Sequence, residues 1–175
     1  VILHSIRLKN EPARRKRNSN HNPNHNPNHN PNHNPNLRGR TLNKDVRAVL
    51  DDLEIRITRE MKFLRSMGKD DPRWKDFNTD EFALAAGPDS GAFLNLLIRT
   101  KGATNVVEVG TSIGYTSLWL GDAVRDTGGR VIGMENLESK HAEALANLKR
   151  AKLDDIVDVR LGDAKEIVKE IEGPI

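Results

Sequence analysis

The sequence contains no cysteine among its 175 residues. This absence excludes disulfide bonds, thiolate metal ligands and a cysteine nucleophile within the chain. Long apolar runs are missing too, since no stretch approaches the roughly 20 residues that a membrane-spanning helix needs. The first residues also lack the continuous apolar segment of a secretory signal. We therefore expect a cytoplasmic protein without a membrane partner.

Acidic residues are almost absent from the first forty positions. This stretch holds eight of the 28 basic residues but only one of the 25 acidic residues, Glu11. The remaining 135 positions therefore carry 20 basic and 24 acidic residues, which is a mildly acidic balance. Such a balance argues against a nucleic-acid-binding surface on the folded part, so we expect no nucleic-acid partner for it.

A four-residue repeat fills the second half of this basic stretch. Asn-His-Asn-Pro recurs four times between Asn20 and Asn36 and places a histidine at positions 21, 25, 29 and 33. Histidine-rich tracts can bind metal ions, but the prolines prevent a helix that would gather these histidines on one face. The composition offers too little apolar surface to fold, so residues 1–40 are predicted to form a disordered tail. The basic run Arg14–Arg17 is either a targeting or polyanion-binding segment or simply solvated chain.

Helical spacing of apolar residues begins at Leu42 and ends before Gly68. This amphipathic helix either packs on the domain or forms a dimer contact or a lid over a substrate. Strands and helices then alternate, which predicts an α/β fold with a Rossmann-like, doubly wound parallel sheet and flanking helices on both faces. Helices are predicted over 42–67, 79–87, 88–101, 115–124, 138–151 and 164–171, and strands over 105–109, 130–134 and 156–161.

A valine-rich strand followed by a glycine turn organises the folded part. Val106, Val107 and Val109 are β-branched residues typical of a buried parallel strand. The turn from Gly110 to Gly114 has no side chain at either end. Glycine permits backbone conformations that other residues avoid, and the N–H groups at the start of the next helix carry partial positive charge. The turn is therefore suited to bind an anionic or polar small molecule.

Two acidic residues follow the next two predicted strands. Glu135 ends the second strand, 25 residues after Gly110, and Asp163 follows the third. Ligands of parallel sheets bind beyond the carboxyl ends of the strands, so we expect the glycine turn and both carboxylates at one edge. Glu135 either accepts hydrogen bonds from the two hydroxyls of a ribose or caps the next helix. Asp163 either lies beside an adenine ring or caps its own helix.

The spacing of the glycines distinguishes two classes of nucleotide ligand. A dinucleotide fingerprint requires G-x-G-x-x-G, whereas Gly110-Thr-Ser-Ile-Gly114 follows G-x-x-x-G and comes after Glu108. A nucleoside without a pyrophosphate fits this turn better, which makes a nicotinamide-dependent oxidoreductase the less favoured alternative. A second alternative is a regulatory module that binds the nucleoside and performs no chemistry.

Five segments in order resemble one enzyme family. They are Pro88-x-x-Gly91-x-Phe93-Leu94, the stretch from Val107 to Thr116, Gly129-x-Val131 with Glu135, Ala144-x-x-Asn147, and Gly162-Asp163-Ala164. Together they resemble the class I S-adenosylmethionine-dependent methyltransferases, and more closely the cation-dependent O-methyltransferases of the catechol and caffeoyl-CoA type. The resemblance covers residues 42–175.

The resemblance implies S-adenosylmethionine as the cofactor and a small molecule with a hydroxyl group as the methyl acceptor. In this family, the positions of Glu108 and Gly110 line the methionine part of the cofactor. The position of Thr116 gives a hydroxyl to its carboxylate, and Tyr115 lies where its ring can pack on the cofactor. Glu135 would hold the ribose. The full set of implied cofactor-binding residues is Glu108, Gly110, Thr111, Ser112, Gly114, Tyr115, Thr116, Glu135, Asp163 and Ala164, the last two at the adenine end.

The resemblance also implies a divalent metal such as Mg²⁺, but it assigns no metal ligand and no catalytic base within this chain. Both ends of the sequence look cut, and residues 41–175 are expected to form the N-terminal, cofactor-binding part of an O-methyltransferase domain. We expect this chain alone to be inactive and unstable, with a sheet that ends on an unpaired edge. A homodimer is the assembly that we expect of the whole protein.

Overall fold

The computed structural model of the protein describes residues 2–3 and 41–172. Except for residues 2–3, the tail predicted to be disordered, with its histidine repeat, lies outside the described residues. Ile2–Leu3 forms strand β1, which pairs antiparallel with Val109 and Glu108 of strand β2 (Asn105–Val109). The disorder predicted for residues 1–40 stays a prediction.

Helix α1 (Lys44–Ser66) forms where the apolar spacing predicts it. Asn43 caps its start by accepting a hydrogen bond from the backbone N–H of Asp45 at 2.8 Å. The apolar stripe faces the core, so the helix packs on the domain. Its buried members are Val46, Val49, Leu50 and Leu53.

Two 3₁₀ helices follow α1, at Pro72–Asp76 and Thr79–Glu81. The predicted helix over 79–87 is therefore wrong beyond Glu81, because the backbone becomes extended at Phe82. Asn78, and not Thr79, provides the side-chain cap. We call residues 82–87 the strap, since they connect the second 3₁₀ helix to the next helix without regular secondary structure.

Ala83 explains why the strap is not helical. Its backbone N–H donates to Oε2 of Glu60 at 2.7 Å, and its carbonyl accepts a hydrogen bond from Oγ of Ser112 at 2.8 Å. Both polar groups of this buried residue are thus bound to other parts of the chain, where a helix would need them for its own hydrogen bonds.

The remaining elements alternate as predicted. In chain order they are α2 (Pro88–Lys101), β2, α3 (Tyr115–Thr127), β3 (Arg130–Glu135), α4 (Glu138–Arg150), β4 (Val157–Leu161) and α5 (Ala164–Ile167). The predicted last helix is shorter than expected, because α5 gives way to a 3₁₀ turn at Val168–Glu170. The three predicted strands are confirmed.

The sheet has the strand order β1-β2-β3-β4, and its last three strands are parallel. In the register, Val107 pairs with Ile132, and Ile132 pairs with Asp158. The carboxyl ends of β2, β3 and β4 consequently lie at one edge of the sheet, where the glycine turn, Glu135 and Asp163 follow them.

The main core lies on one face of the sheet, and α3 is buried in it from Tyr115 to Val124. On the opposite face, Val107 and Met134 pack against Ile167 of α5. The sheet therefore carries helices on both faces, which confirms the predicted doubly wound α/β fold. Among the described residues, no helix combines the length and the apolar character needed to cross a membrane.

Candidate functional site

The glycine turn after β2 is bound to the end of β3 through its backbone. The N–H groups of Gly110 and Thr111 both donate to the carbonyl of Met134, at 2.9 and 3.0 Å. Gly110 and Gly114 have φ values of 77° and 85°, and Ser112 has a φ of 52°. Glycine adopts this left-handed region easily, and Ser112 must be held there by its contacts.

Glu108 lies at the base of the turn and is fully buried. Its Oε2 accepts hydrogen bonds from the hydroxyls of Thr111, at 3.1 Å, and Ser117. Its Oε1 has no hydrogen-bond partner among the described residues. Burial raises the pKa of Glu108 to about 7, although the two hydroxyls partly offset this effect. The turn therefore encloses a buried carboxylate, one oxygen of which has no hydrogen-bond partner among the described residues.

Glu135 connects the turn to the next helix. Its Oε2 accepts a hydrogen bond from the N–H of Ser112 at 2.6 Å, and its Oε1 accepts from the N–H groups of Asn136 and Leu137, both at 2.9 Å. The side chain is buried. Glu135 thus satisfies N–H groups just before α4, as the capping alternative requires, while the contact with Ser112 places it beside the glycine turn.

Asp163 is exposed and caps the short helix α5. Its Oδ1 accepts a hydrogen bond from the N–H of Lys165 at 2.8 Å. The N–H of Gly162 donates to the carbonyl of Glu135 at 2.8 Å, which brings the end of β4 beside the end of β3. Ala164 is half-buried and packs against the cluster of Val107, Met134 and Ile167. The capping role of Asp163 is confirmed, and its place beside an adenine ring stays a prediction.

Tyr115 and Thr116 begin α3, directly after the turn. Both are buried. The Tyr115 hydroxyl donates to Oε1 of Glu54 on α1 at 2.9 Å, so its polar end is bound to α1. Burial raises the pKa of the Tyr115 phenol well above its usual value, and the phenol therefore stays protonated at neutral pH. Thr116 lies in the first helical turn, beside Ser117.

The structure therefore brings the predicted residues of β2, the turn and β3 together. Sequence reasoning missed three contributors, namely Ser117, Ala83 and Glu60. The sequence contained a local signal for Ser117, because its hydroxyl follows that of Thr116 in the first turn of the helix. The strap residue and Glu60 had none, since Ala83 contacts the site through its backbone and Glu60 lies 23 positions before it.

The described part of the chain offers no group of three or more histidine, aspartate or glutamate side chains that could hold a metal ion. The polar groups of the site are instead carboxylates, hydroxyls and backbone N–H groups. Such a set recognises the hydroxyls and nitrogen atoms of an organic ligand.

A family model described as O-methyltransferase matches residues 61–173, which is more than half of the chain. The chain belongs to this O-methyltransferase family. The matched region runs from within α1 past Asp163 and includes the strap, the glycine turn and Glu135. The match leaves out residues 44–60 of α1, and with them Glu54 and Glu60, whereas the other residues of the site lie within it. The resemblance noted in the sequence is confirmed.

Three proteins illustrate the likeness of this chain to O-methyltransferases. A catechol O-methyltransferase of Niastella koreensis is 37% identical over 90 residues, which cover 51% of this chain and 40% of that protein. One of Mycobacterium tuberculosis is 38% identical over 93 residues, with the same coverage of 51% and 40%. The solved structure of an O-methyltransferase from Bacillus cereus in complex with SAH (S-adenosylhomocysteine) is 27% identical, with a TM-score of 0.51, and the match covers 77% of this chain and 50% of that one. The chain thus spans half or less of the length of these proteins.

Proposed function

We propose that the whole protein transfers a methyl group from S-adenosylmethionine to a hydroxyl oxygen of a small-molecule acceptor. Membership of the O-methyltransferase family supports this class of reaction. Relatives named catechol O-methyltransferase support an acceptor that carries a hydroxyl group. Because the chain spans 40% of the length of those relatives, the part assigned to it in this proposal is the cofactor site.

The observation that carries the proposal is the contact between the glycine turn and Glu135. The N–H of Ser112 donates to Oε2 of Glu135 at 2.6 Å, so the turn and the carboxylate form one surface at the sheet edge. A carboxylate oxygen has about two lone-pair sites, and Oε2 accepts one N–H group. A ribose hydroxyl can therefore donate to Oε2 without displacing Ser112.

Glu108 supports a ligand with positive charge. Its buried Oε1 lacks a partner among the described residues, and burial raises its pKa to about 7. A cation bound nearby favours the ionised form of a carboxyl group and lowers its pKa. The amino group or the sulfonium of S-adenosylmethionine would provide such a cation, whereas the pyrophosphate of a dinucleotide would repel Glu108.

The contribution of this chain to the chemistry is positioning. When bound, S-adenosylmethionine supplies a methyl group activated by its sulfonium. The acceptor oxygen then forms a bond to the methyl carbon while the carbon–sulfur bond breaks, and the hydroxyl proton passes to a base. Holding the reacting atoms about 3 to 3.5 Å apart and in line lowers the entropic part of the barrier. None of the described residues is assigned as that base.

A divalent metal, a homodimer and a cytoplasmic location remain predictions. The described residues do not fit a metal site, and no step of the proposed reaction passes through a metal ion. The acceptor is proposed only as a small molecule with a hydroxyl group.

Calorimetric titration with S-adenosylhomocysteine, with NAD as a second ligand, tests the cofactor site. We expect S-adenosylhomocysteine to bind and NAD not to bind. Glu135→Gln keeps the shape of the side chain but removes its charge, and should raise the Kd by at least about tenfold. Asp71→Asn is the matched control, because Asp71 also accepts a backbone N–H, at 2.9 Å, but caps the 3₁₀ helix Pro72–Asp76 outside the site. Binding of NAD, or a Kd that is unchanged in Glu135→Gln, would contradict the proposal.

A further inference from the structure

A continuous row of hydrogen bonds runs from α1 to the Glu135 carboxylate. It begins where Nε of Arg56 donates to Oε1 of Glu60 at 2.6 Å. The other oxygen of Glu60 accepts the backbone N–H of Ala83 in the strap at 2.7 Å. One carboxylate therefore connects a long, well-packed helix to a segment without regular secondary structure.

The row continues from the strap into the glycine turn. The carbonyl of Ala83 accepts a hydrogen bond from Oγ of Ser112 at 2.8 Å, and the N–H of Ser112 donates to Glu135 at 2.6 Å. Ser112 has a φ of 52°, in a region that costs a non-glycine residue about 1 kcal/mol. Its two hydrogen bonds hold the backbone in this conformation, which aims the N–H at the carboxylate.

The conformation of the strap depends on hydrogen bonds to other elements. Leu84, next to Ala83, has a φ of 44° although it is not glycine, and its side chain is half exposed. Ala83 itself is buried, and both of its backbone polar groups bind residues of other elements. The position of the strap over the turn therefore depends on Glu60 at one side and on Ser112 at the other.

We infer that Glu60 is a positioning residue of the cofactor site. Its carboxylate holds the backbone of Ala83 in place, and the Ala83 carbonyl holds the side chain of Ser112. The N–H of Ser112 in turn holds the Glu135 carboxylate in the orientation that receives the ligand. The identity of that ligand rests on the proposed function. The row of hydrogen bonds from Arg56 to Glu135 is independent of it.

A purely structural role for Glu60, as the ion-pair partner of Arg56, predicts different behaviour. Ion pairs with partly exposed partners stabilise a protein by about 0 to 1 kcal/mol, and the Arg56 side chain is 40% exposed. Glu143 of α4 binds the same guanidinium at 2.7 Å. Within the described part of the chain, the Glu143 side chain accepts its hydrogen bond from Arg56 and makes none with the strap. Glu143 is therefore the matched control for the loss of the ion pair alone.

Three variants separate the two roles, namely Glu60→Leu, Glu60→Gln and Glu143→Leu. Calorimetry with S-adenosylhomocysteine gives the Kd of each, and thermal denaturation gives the Tm. Glu60→Leu removes the acceptor for Ala83 and should raise the Kd by about tenfold or more. Glu60→Gln keeps an acceptor oxygen and should stay within about threefold of the original protein, as should Glu143→Leu.

Amide hydrogen exchange provides a readout that needs no ligand. In Glu60→Leu we expect faster exchange at Ala83 and Ser112, whereas Glu143→Leu should leave both amides unchanged. If Glu60→Leu does not fold, Ser112→Ala breaks the row at its other contact and should likewise raise the Kd and speed exchange at Ala83.

The outcomes distinguish this inference from the proposed function. Failure of the original protein to bind S-adenosylhomocysteine would contradict the proposed function, and the exchange experiment would still decide whether Glu60 positions the turn. Normal binding by Glu60→Leu, or equal effects of Glu60→Leu and Glu143→Leu on the Kd and on exchange, would overturn the inference.

Discussion

Glu135 and Asp163 have the same place in the sequence pattern but different surroundings in the fold. Each follows a parallel strand and precedes a helix. Glu135 is buried and accepts three backbone N–H groups, while Asp163 is exposed and accepts one. The strand order explains the difference, because β3 lies between β2 and β4, whereas β4 has β3 as its one neighbour in the described sheet. A carboxylate at the end of an inner strand is enclosed by both neighbouring turns, and one at the outer strand faces solvent.

The largest expected effect is the loss of stability in Glu135→Ala. Three N–H groups would lose their acceptor in a partly buried region, which should lower the free energy of unfolding by roughly 4 kcal/mol. Urea denaturation measures this change. A loss no greater than that of Asp163→Ala would show that burial does not separate the two carboxylates.

The pH dependence of stability should reveal the buried Glu108. Burial raises its pKa from the ordinary 4.5 to about 7 in the folded protein. Protonated Glu108 therefore makes its full contribution to the free energy of unfolding below pH 4.5. This contribution is lost as the pH rises through 7, by about 3 kcal/mol in total. Glu108→Gln cannot ionise, so it should gain that amount relative to the original protein over this range. Urea denaturation series at several pH values would show the gain, and parallel pH profiles of the two proteins would contradict the buried, ionisable carboxyl.

Gly114→Ala should have an intermediate effect. Its φ of 85° is unfavourable for alanine, and the new Cβ would lie 3.3 Å from the Cα of Ala144 on α4. Together these effects should cost about 2 kcal/mol of stability. Gly128→Ala is the control, since Gly128 has a similar φ of 70° but open space around it. Thermal denaturation should give Gly114→Ala a lower Tm than Gly128→Ala. Equal Tm values would mean that α4 does not restrict the turn.

The smallest expected effect is that of Asp163→Ala. This change removes a side-chain cap from a short helix and should cost about 1 kcal/mol. Asp163→Asn should recover the loss, because asparagine caps helices nearly as well as aspartate. If urea denaturation shows no recovery in Asp163→Asn, the charge of Asp163 matters for more than capping, and the contrast with Glu135 would be smaller than the structure indicates.

Local sequence signals predicted the strands and the glycine turn correctly. The strand predicted over 105–109 is confirmed. It could be predicted because β-branched residues favour a buried parallel strand through their own side chains, without contacts from distant parts of the chain. The turn is confirmed because the φ values of Gly110 and Gly114 are those that glycine adopts easily. These features depend on residues close together in the chain, so a pattern is sufficient to find them.

The strap could not be predicted in the same way. The residues from Phe82 to Gly87 follow a capping residue and include helix-forming alanines, which favours a helix locally. Contacts with Glu60 and Ser112, which lie 23 positions before and 29 positions after Ala83, override that preference. For the same reason, the sequence alone left open whether Glu135 caps α4 or binds a ligand, because its contact with Ser112 exists only in the folded chain.

The central claim is that the turn after β2 and the carboxylate after β3 form one nucleoside site. Chemical-shift mapping by two-dimensional NMR during titration with S-adenosylhomocysteine tests it most directly. We predict that the backbone amide signals of Ser112, Gly114 and Asn136 shift together as the ligand is added, while that of Lys149, at the far end of α4, stays in place. Shifts confined to other parts of the sheet, or no shifts in a folded sample, would contradict the account.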